Sequence, residues 1–262
     1  MLGSLIALFN SWPPTGMALI ELIVCLLFMM GLLRFYGVSG LYSYVNLGLI
    51  VANIQVLKGG QFLYPSHPIA MGTLMFGTIG LCFDVITEYY GKAAALKGVQ
   101  LGFITLCFFT VLMLITVGVR PLNPAALSPD SLFLYQNNVH IKALFMPMPG
   151  ILAASLISYA TSQNSDVWIY WIIKQITHER WLGLRAVLST SLSALIDTCL
   201  FSLLAWKVFS PDPVSWKTLW SVYIIGTYPL RLICSFSLSP FIYLGRYFLP
   251  KTSYHTQHQA LQ

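Results

Sequence analysis

Three acids stand where the chain is otherwise oily. Asp84 and Glu88 lie four residues apart in an apolar run, and Asp197 closes the stretch Ser189-Thr190-Ser191-Leu192-Ser193-Ala194-Leu195-Ile196-Asp197. An ionisable group at the centre of a bilayer costs roughly 2.5 to 3.5 kcal/mol on insertion scales, so each needs an ion partner, water or a ligand. On a helix Asp84 and Glu88 share one face a turn apart, and Glu88 is spaced to pair with Lys92 at an interface. Asp84, a turn deeper, has no such neighbour. Ser189, Ser193 and Asp197 recur at helical spacing; close helix packing accounts for the serines but not for the aspartate. Its expected partner is Arg231, Arg185 or a ligand, since Arg231 must itself pair with an acid, snorkel or face water.

Amides widen the set. Asn53 and Gln55 lie in Ala52-Asn53-Ile54-Gln55-Val56, and Gln163 with Asp166 is expected to close the fifth apolar span. Buried amides carry donors and acceptors that must both be met. Contacts between helices would meet them. So would a planar small molecule rich in hydrogen-bonding groups, bound where acids, amides and aromatic rings converge.

Other chemistry lacks its residues. No GxSxG, HExxH, Walker A or GxGxxG motif occurs in a meaningful context. None of the five histidines lies at the centre of an apolar run, and His255 and His258 in the tail read as solvated. The five cysteines sit singly in apolar stretches, as small buried hydrophobes. Neither a metal nor a cofactor is expected, and the chain does not read as an enzyme.

The elements that must hold these residues belong in lipid. Of 262 residues 57% are hydrophobic and 8% charged, at a mean hydropathy of +0.74, where a soluble domain carries about 25% charged residues. The formal charge of +6 comes from residues scattered at the ends of apolar runs, which anchor helices to headgroups and make no nucleic-acid patch. The chain reads as an all-α integral membrane protein.

Spanning helices need about 20 mostly apolar residues. Seven intervals qualify, near 17–36, 41–59, 69–90, 99–119, 141–162, 184–206 and 217–247. The first is too long and too poorly flanked by basic residues for a cleavable signal. Met146-Pro147-Met148-Pro149-Gly150 and Pro240 are expected to break the fifth and seventh helices, either as simple kinks or as breaks lining a substrate site. Residues 120–140 read as a turn-rich outside loop. On alternate sides of seven spans, Arg34, Lys92, Lys97, Lys174, Arg180, Arg185, Arg246 and Lys251 oppose Lys58, Arg120, Lys142, Lys207 and Lys217. This bias places the N-terminus outside and the C-terminus in the cytoplasm of a cell inner (plasma) membrane protein.

Three stretches together resemble the queuosine precursor transporter family, of vitamin-uptake type. The first runs from Ala52-Asn53-Ile54-Gln55 through Gly72-Thr73-Leu74-Met75-Phe76 to Asp84-Val85-Ile86-Thr87-Glu88-Tyr89-Tyr90-Gly91-Lys92. The second is Ala154-Ser155-Leu156-Ile157-Ser158-Tyr159 with Gln163 and Asp166-Val167. The third joins Arg185, Ser189-Thr190, Ile196-Asp197-Thr198 and Phe201 to Tyr228, Arg231, Pro240 and Tyr243. The resemblance implies a six-helix core at 41–250, an extra N-terminal helix in 1–40 and a short polar tail at 251–262. Arg231 stands where the family often has Lys, keeping the charge and changing its geometry.

Such a protein is expected to import 7-deazaguanine bases: 7-cyano-7-deazaguanine, 7-aminomethyl-7-deazaguanine or queuine. A carboxylate can accept the ring N–H and exocyclic amine of a guanine-like edge, and amides can meet its carbonyl. The expected contacts are Asp84 or Asp197 on the base edge, Asn53, Gln55, Gln163 and Ser189 around it, and Glu88 or Arg231 as gating or charge-balancing groups. The partners expected are this purine-like molecule and the lipid bilayer, without direct nucleic-acid contact. Self-association and coupling to protons are both compatible with the sequence. Alternatives are a substrate-binding subunit of an ATP-driven importer, an intramembrane enzyme using Asp84 and Asp197, and a purely structural membrane subunit.

Overall fold

The computed structural model describes residues 2–61, 69–120, 123, 132–145, 148–178 and 180–250. The tail with His255 and His258, and Met146 and Pro147, lie outside them. After a short apolar helix α1 (Leu2–Asn10), which the sequence reading does not include, comes α2 (Pro14–Gln55). This helix is not straight: Gly37 has φ 59° and ψ −139°. Gln55 Nε2 donates to Glu21 Oε1 at 2.8 Å, and the Phe28 and Tyr44 rings lie 6.5 Å apart. A straight helix would set Glu21 and Gln55 about 50 Å apart. The chain therefore doubles back at Gly37, and α2 is a helical hairpin whose arms match the expected intervals 17–36 and 41–59.

A two-residue antiparallel pairing, Gly59–Gly60 with Ile69–Ala70, leads into α3 (Gly72–Tyr89), and Gly91, at φ 86°, turns the chain into α4 (Lys92–Gly118). Then follow α5 (Leu132–Phe145), α6 (Met148–Ile176) and α7 (Leu182–Leu203), the last continuing through widened turns at Leu204–Val208. α8 (Trp216–Thr218) opens on a Ser215 cap and continues through widened turns at Leu219–Ile224 toward α9 (Tyr228–Leu238) and α10 (Pro240–Phe248).

By length and composition Pro14–Gln55, Lys92–Gly118, Leu182–Val208 and Trp216–Leu238 can each cross a membrane, and α5 with α6, meeting at 46°, adds a fifth. This differs from the seven expected intervals for two physical reasons. Two intervals share α2, and the 18-residue α3 carries Asp84 and Glu88, which lower its hydropathy. The chain is an all-α membrane protein, as its composition implies.

Three local expectations need correction. Residues 132–140 are helical in α5 and not loop. α6 runs to Ile176, so Gln163 and Asp166 lie inside a helix and do not close one. Its polar residues bond back to their own turn, Asn164 to the Ala160 carbonyl and Ser165 to that of Thr161, which lets a helix absorb them. Pro240 scarcely interrupts the last helix: Ser239 keeps φ −55° and ψ −35°, and the proline occupies the first position of α10, where a missing N–H costs least.

Lipid-facing and buried faces separate cleanly. Ile104, Phe108, Val111 and Ile115 on α4, and Leu19, Ile23 and Leu27 on α2, are exposed at helical spacing. Small residues face inward. Gly48 lies against Met75 and Ile79, and Gly98 against Tyr42 and Phe83, so α3 and α4 pack closely on the second arm of α2.

Two ends are also distinct. The Gly37 turn meets Tyr90 and Pro250, Tyr89 Oη donates to the Ile242 carbonyl at 2.7 Å, and Lys92 lies over the Trp168 and Trp171 rings. At the far end the Gly59–Gly60 pairing precedes α3 and Gly150 meets Phe209.

Candidate functional site

Polar residues form a column down the middle of the helices. Thr73, Gly77, Gly80, Asp84 and Glu88 recur at helical spacing on α3, as do Ser155, Tyr159, Ser162, Asp166, Tyr170 and Lys174 on α6. Running the other way, α7 supplies Arg185, Ser189, Ser193 and Asp197, and α9 supplies Arg231. From Glu88 to Thr73 the column spans about 22 Å at helical rise.

Glu88 occupies the end near Gly37. Its carboxylate takes Arg185 Nη2 at 2.5 Å, Lys174 Nζ at 3.4 Å and the Tyr170 hydroxyl at 2.9 Å. Arg185 is 1% exposed, although an arginine leaves water only for strong partners. The expected Glu88–Lys92 pair does not form, because Lys92 turns to the two tryptophans while α6 and α7 bring competing cations to the acid.

One turn deeper lie two acids. Asp84 Oδ2 accepts from Thr190 Oγ1 at 2.9 Å, and Asp166 Oδ1 accepts from Ser193 Oγ at 3.0 Å. Both residues are buried, and Asp84 Oδ1 has no hydrogen-bond partner among the described residues. Deeper again, Asp197 Oδ2 binds Arg231 Nη1 at 2.5 Å while its other oxygen accepts from Ser162 Oγ at 3.3 Å. Of the two candidate cations for Asp197, Arg231 is the one that reaches it; Arg185 goes to Glu88.

The Asp197–Arg231 pair stands where two cavities meet. The first is small, about 40 Å³, and is lined among others by Gly80, Gln163, Thr190, Ser193, Asp197 and Arg231. The second, about 110 Å³, adds Ser155, Thr198, Ser202, Trp206 and Tyr223, and shares Thr73, Phe76, Asp197 and Arg231 with the first. The Trp206 and Tyr223 rings stack 4.9 Å apart at 27°. Rings beside a few convergent polar groups are the lining that small-molecule sites share. Two residues that line the first cavity carry a buried atom without a partner among the described residues: Gln163 Oε1, an acceptor, and Arg231 Nε, a donor.

The expected site residues thus divide. Gln163, Asp197 and Arg231 converge on the cavities. Asp84 and the fully buried Ser189 lie one layer behind, Ser189 donating to the Ala186 carbonyl. Glu88 is at the end of the column. Asn53 spends its amide on the Leu49 carbonyl of its own helix, and Gln55 binds Glu21, so neither joins this group. The sequence reading left out Asp166 as a site residue, Glu21 altogether, and the pair Trp206–Tyr223. The helical spacing Ser162, Asp166, Tyr170 was the signal for the first. No short-range signal existed for the last, since the rings are 17 positions apart.

Residues 70–245 match the model of a protein family described as "Putative vitamin uptake transporter". A protein of Bacillus subtilis (strain 168), described as "Probable queuosine precursor transporter", is 32% identical over 244 residues, covering 93% of this chain and 97% of that protein. No solved structure matches the chain.

Proposed function

Because this chain belongs to the vitamin uptake transporter family, we propose that it is a membrane importer of queuosine precursors, 7-deazaguanine bases taken up for salvage into tRNA. One observation carries the reading to chemistry. Gln163 and Arg231, which carry an unmet acceptor and an unmet donor among the described residues, line the same cavity as Asp197. A guanine-like edge offers the complement: ring N–H and exocyclic amine for the carboxylate and amide oxygen, and a carbonyl for the guanidinium. The stacked Trp206 and Tyr223 supply an aromatic wall beside it.

In this reading Asp197, Gln163 and Arg231 contact the base, and Glu88 with Arg185 and Lys174 closes the end of the column next to Gly37. The closed end faces the cytoplasm, the N-terminus lies outside, and residues 41–250 form the transporting core behind the N-terminal helix.

The test is tRNA queuosine content in a host lacking precursor synthesis and import, expressing this chain with the enzymes that use each base. Restoration by one base at low nanomolar supply is expected and names the cargo. No restoration by any of the three, with the protein present in the membrane, overturns the reading.

A further inference from the structure

The column is unevenly balanced in charge. Glu88 is met by two cations and Asp197 by one, whereas Asp84 and Asp166 have, among the described residues, no cation at all. They are 4% and 1% exposed, and the hydroxyls that hold them, Thr190 and Ser193, lie about one turn apart on α7. Two uncompensated carboxylates in one apolar layer are not a stable arrangement, because each charge loses its hydration. At least one of them must be neutralised, and a bound proton does so. Asp84 Oδ1, buried and without a partner, is the acceptor left for it.

The groups on the surrounding helices are committed elsewhere. On α2 Tyr44 donates to Thr78, and on α4 Lys92 covers Trp168 and Trp171. On α6 Tyr159 donates to the Val99 carbonyl, while Tyr170 and Lys174 bind Glu88 together with Arg185 of α7. On α9 Arg231 holds Asp197 beside the thiol Cys234, and on α10 Arg246 lies over Tyr247. On α3 itself Cys82 points its thiol toward the Leu41 carbonyl.

We propose that Asp84 and Asp166 form a proton-binding site that couples import to the proton gradient, a role resting on the importer reading above. The proton arrives from the open side, is held on one carboxylate oxygen of the pair, and leaves to the opposite side as that carboxylate re-forms. The link to cargo is built into α7. Thr190 and Ser193, one turn apart, donate to Asp84 and Asp166 respectively, and both also line the first cavity. A base that takes up either hydroxyl withdraws a hydrogen bond from a carboxylate, so occupancy of the cavity and protonation of the pair are linked.

Two measurements test this on the full-length protein. Infrared spectroscopy of the empty protein at neutral pH is expected to show a protonated carboxylic-acid band that shifts in heavy water and is lost in Asp84→Asn and in Asp166→Asn. In liposomes, counterflow exchange of a 7-deazaguanine base is compared with accumulation driven by an alkaline interior. Wild type is expected to accumulate base at least several-fold with the pH gradient, and Asp166→Asn to keep measurable exchange while losing that accumulation. No carboxylic-acid band sensitive to either substitution overturns the site. Exchange in wild type that ignores the pH gradient, or follows a sodium gradient instead, overturns the coupling. A band without any exchange of these bases upholds the proton site and refutes the cargo. Asp166→Glu, which restores a titratable group, is expected to recover part of the gradient dependence; its failure to do so in a protein that still exchanges base overturns the assignment to Asp166.

Discussion

At the scale of single residues, Arg231 divides its guanidinium between two tasks. One terminal nitrogen neutralises Asp197, and Nε is buried without a partner among the described residues, in a side chain that lines the cavity. Lysine would keep the charge but offer no second, fixed donor. A hydrogen bond to a charged group contributes about 1.5 to 3 kcal/mol, so Arg231→Lys is expected to raise the KM for base uptake by roughly ten- to a hundred-fold at normal abundance in the membrane. An unchanged KM would remove Arg231 from the site. Asp197, Arg231, Asp84 and Glu88 were all legible in the sequence because a charge within an apolar run has few innocent explanations. Asp166 was not, since Gln163-Asn164-Ser165-Asp166 looks like the end of a helix until Asn164 and Ser165 are seen to bond their own preceding turn. Asn53 misled in the opposite sense: its amide is satisfied within one turn, and only coordinates reveal that.

At the scale of elements, the decisive residue is Gly37. Its φ of 59° with ψ of −139° lies where side chains other than hydrogen are strained, at a cost of about 1 to 3 kcal/mol. A Cβ there would also come within 3.2 Å of Tyr90 Oη and 3.3 Å of a Pro250 ring carbon. Gly37→Ala is therefore expected to lower the thermal unfolding midpoint of the detergent-solubilised protein. Gly118→Ala is the control, because a Cβ at that position meets nothing within 4 Å. Equal midpoints for the two variants would mean that the reversal does not depend on glycine. The same turn explains why Glu21 escaped notice: its partner Gln55 is 34 positions away and becomes adjacent only when the chain doubles back. Helix content and the two arms of the hairpin follow from hydropathy. The extension of α6 and the helicity of α5 do not, because both depend on hydrogen bonds and packing that a running average of hydropathy ignores.

At the scale of the whole molecule, the charge pattern along the chain and the three-dimensional ends agree. Arg34 lies about a turn before Gly37, the residue that meets Tyr90 and Pro250, while Lys174 and Arg185 bind Glu88 and Lys92 covers Trp168. These belong to the basic set assigned to the cytoplasm, and Lys58 precedes the Gly59–Gly60 pairing at the other end. If cytoplasmic basic residues orient the protein, the hairpin turn faces the cytoplasm and the chain after Gln55 faces outward. Tyr36 and Gln61, both exposed, report on the two sides. In a background without the five native cysteines, Gln61→Cys should react with a membrane-impermeant maleimide in intact cells, and Tyr36→Cys only after permeabilisation. The reverse pattern would invert the protein and move the Glu88 closure to the outside. Labelling of both from one side would mean that the two arms of α2 enter the membrane without crossing it, leaving transport to the helices from α3 onward.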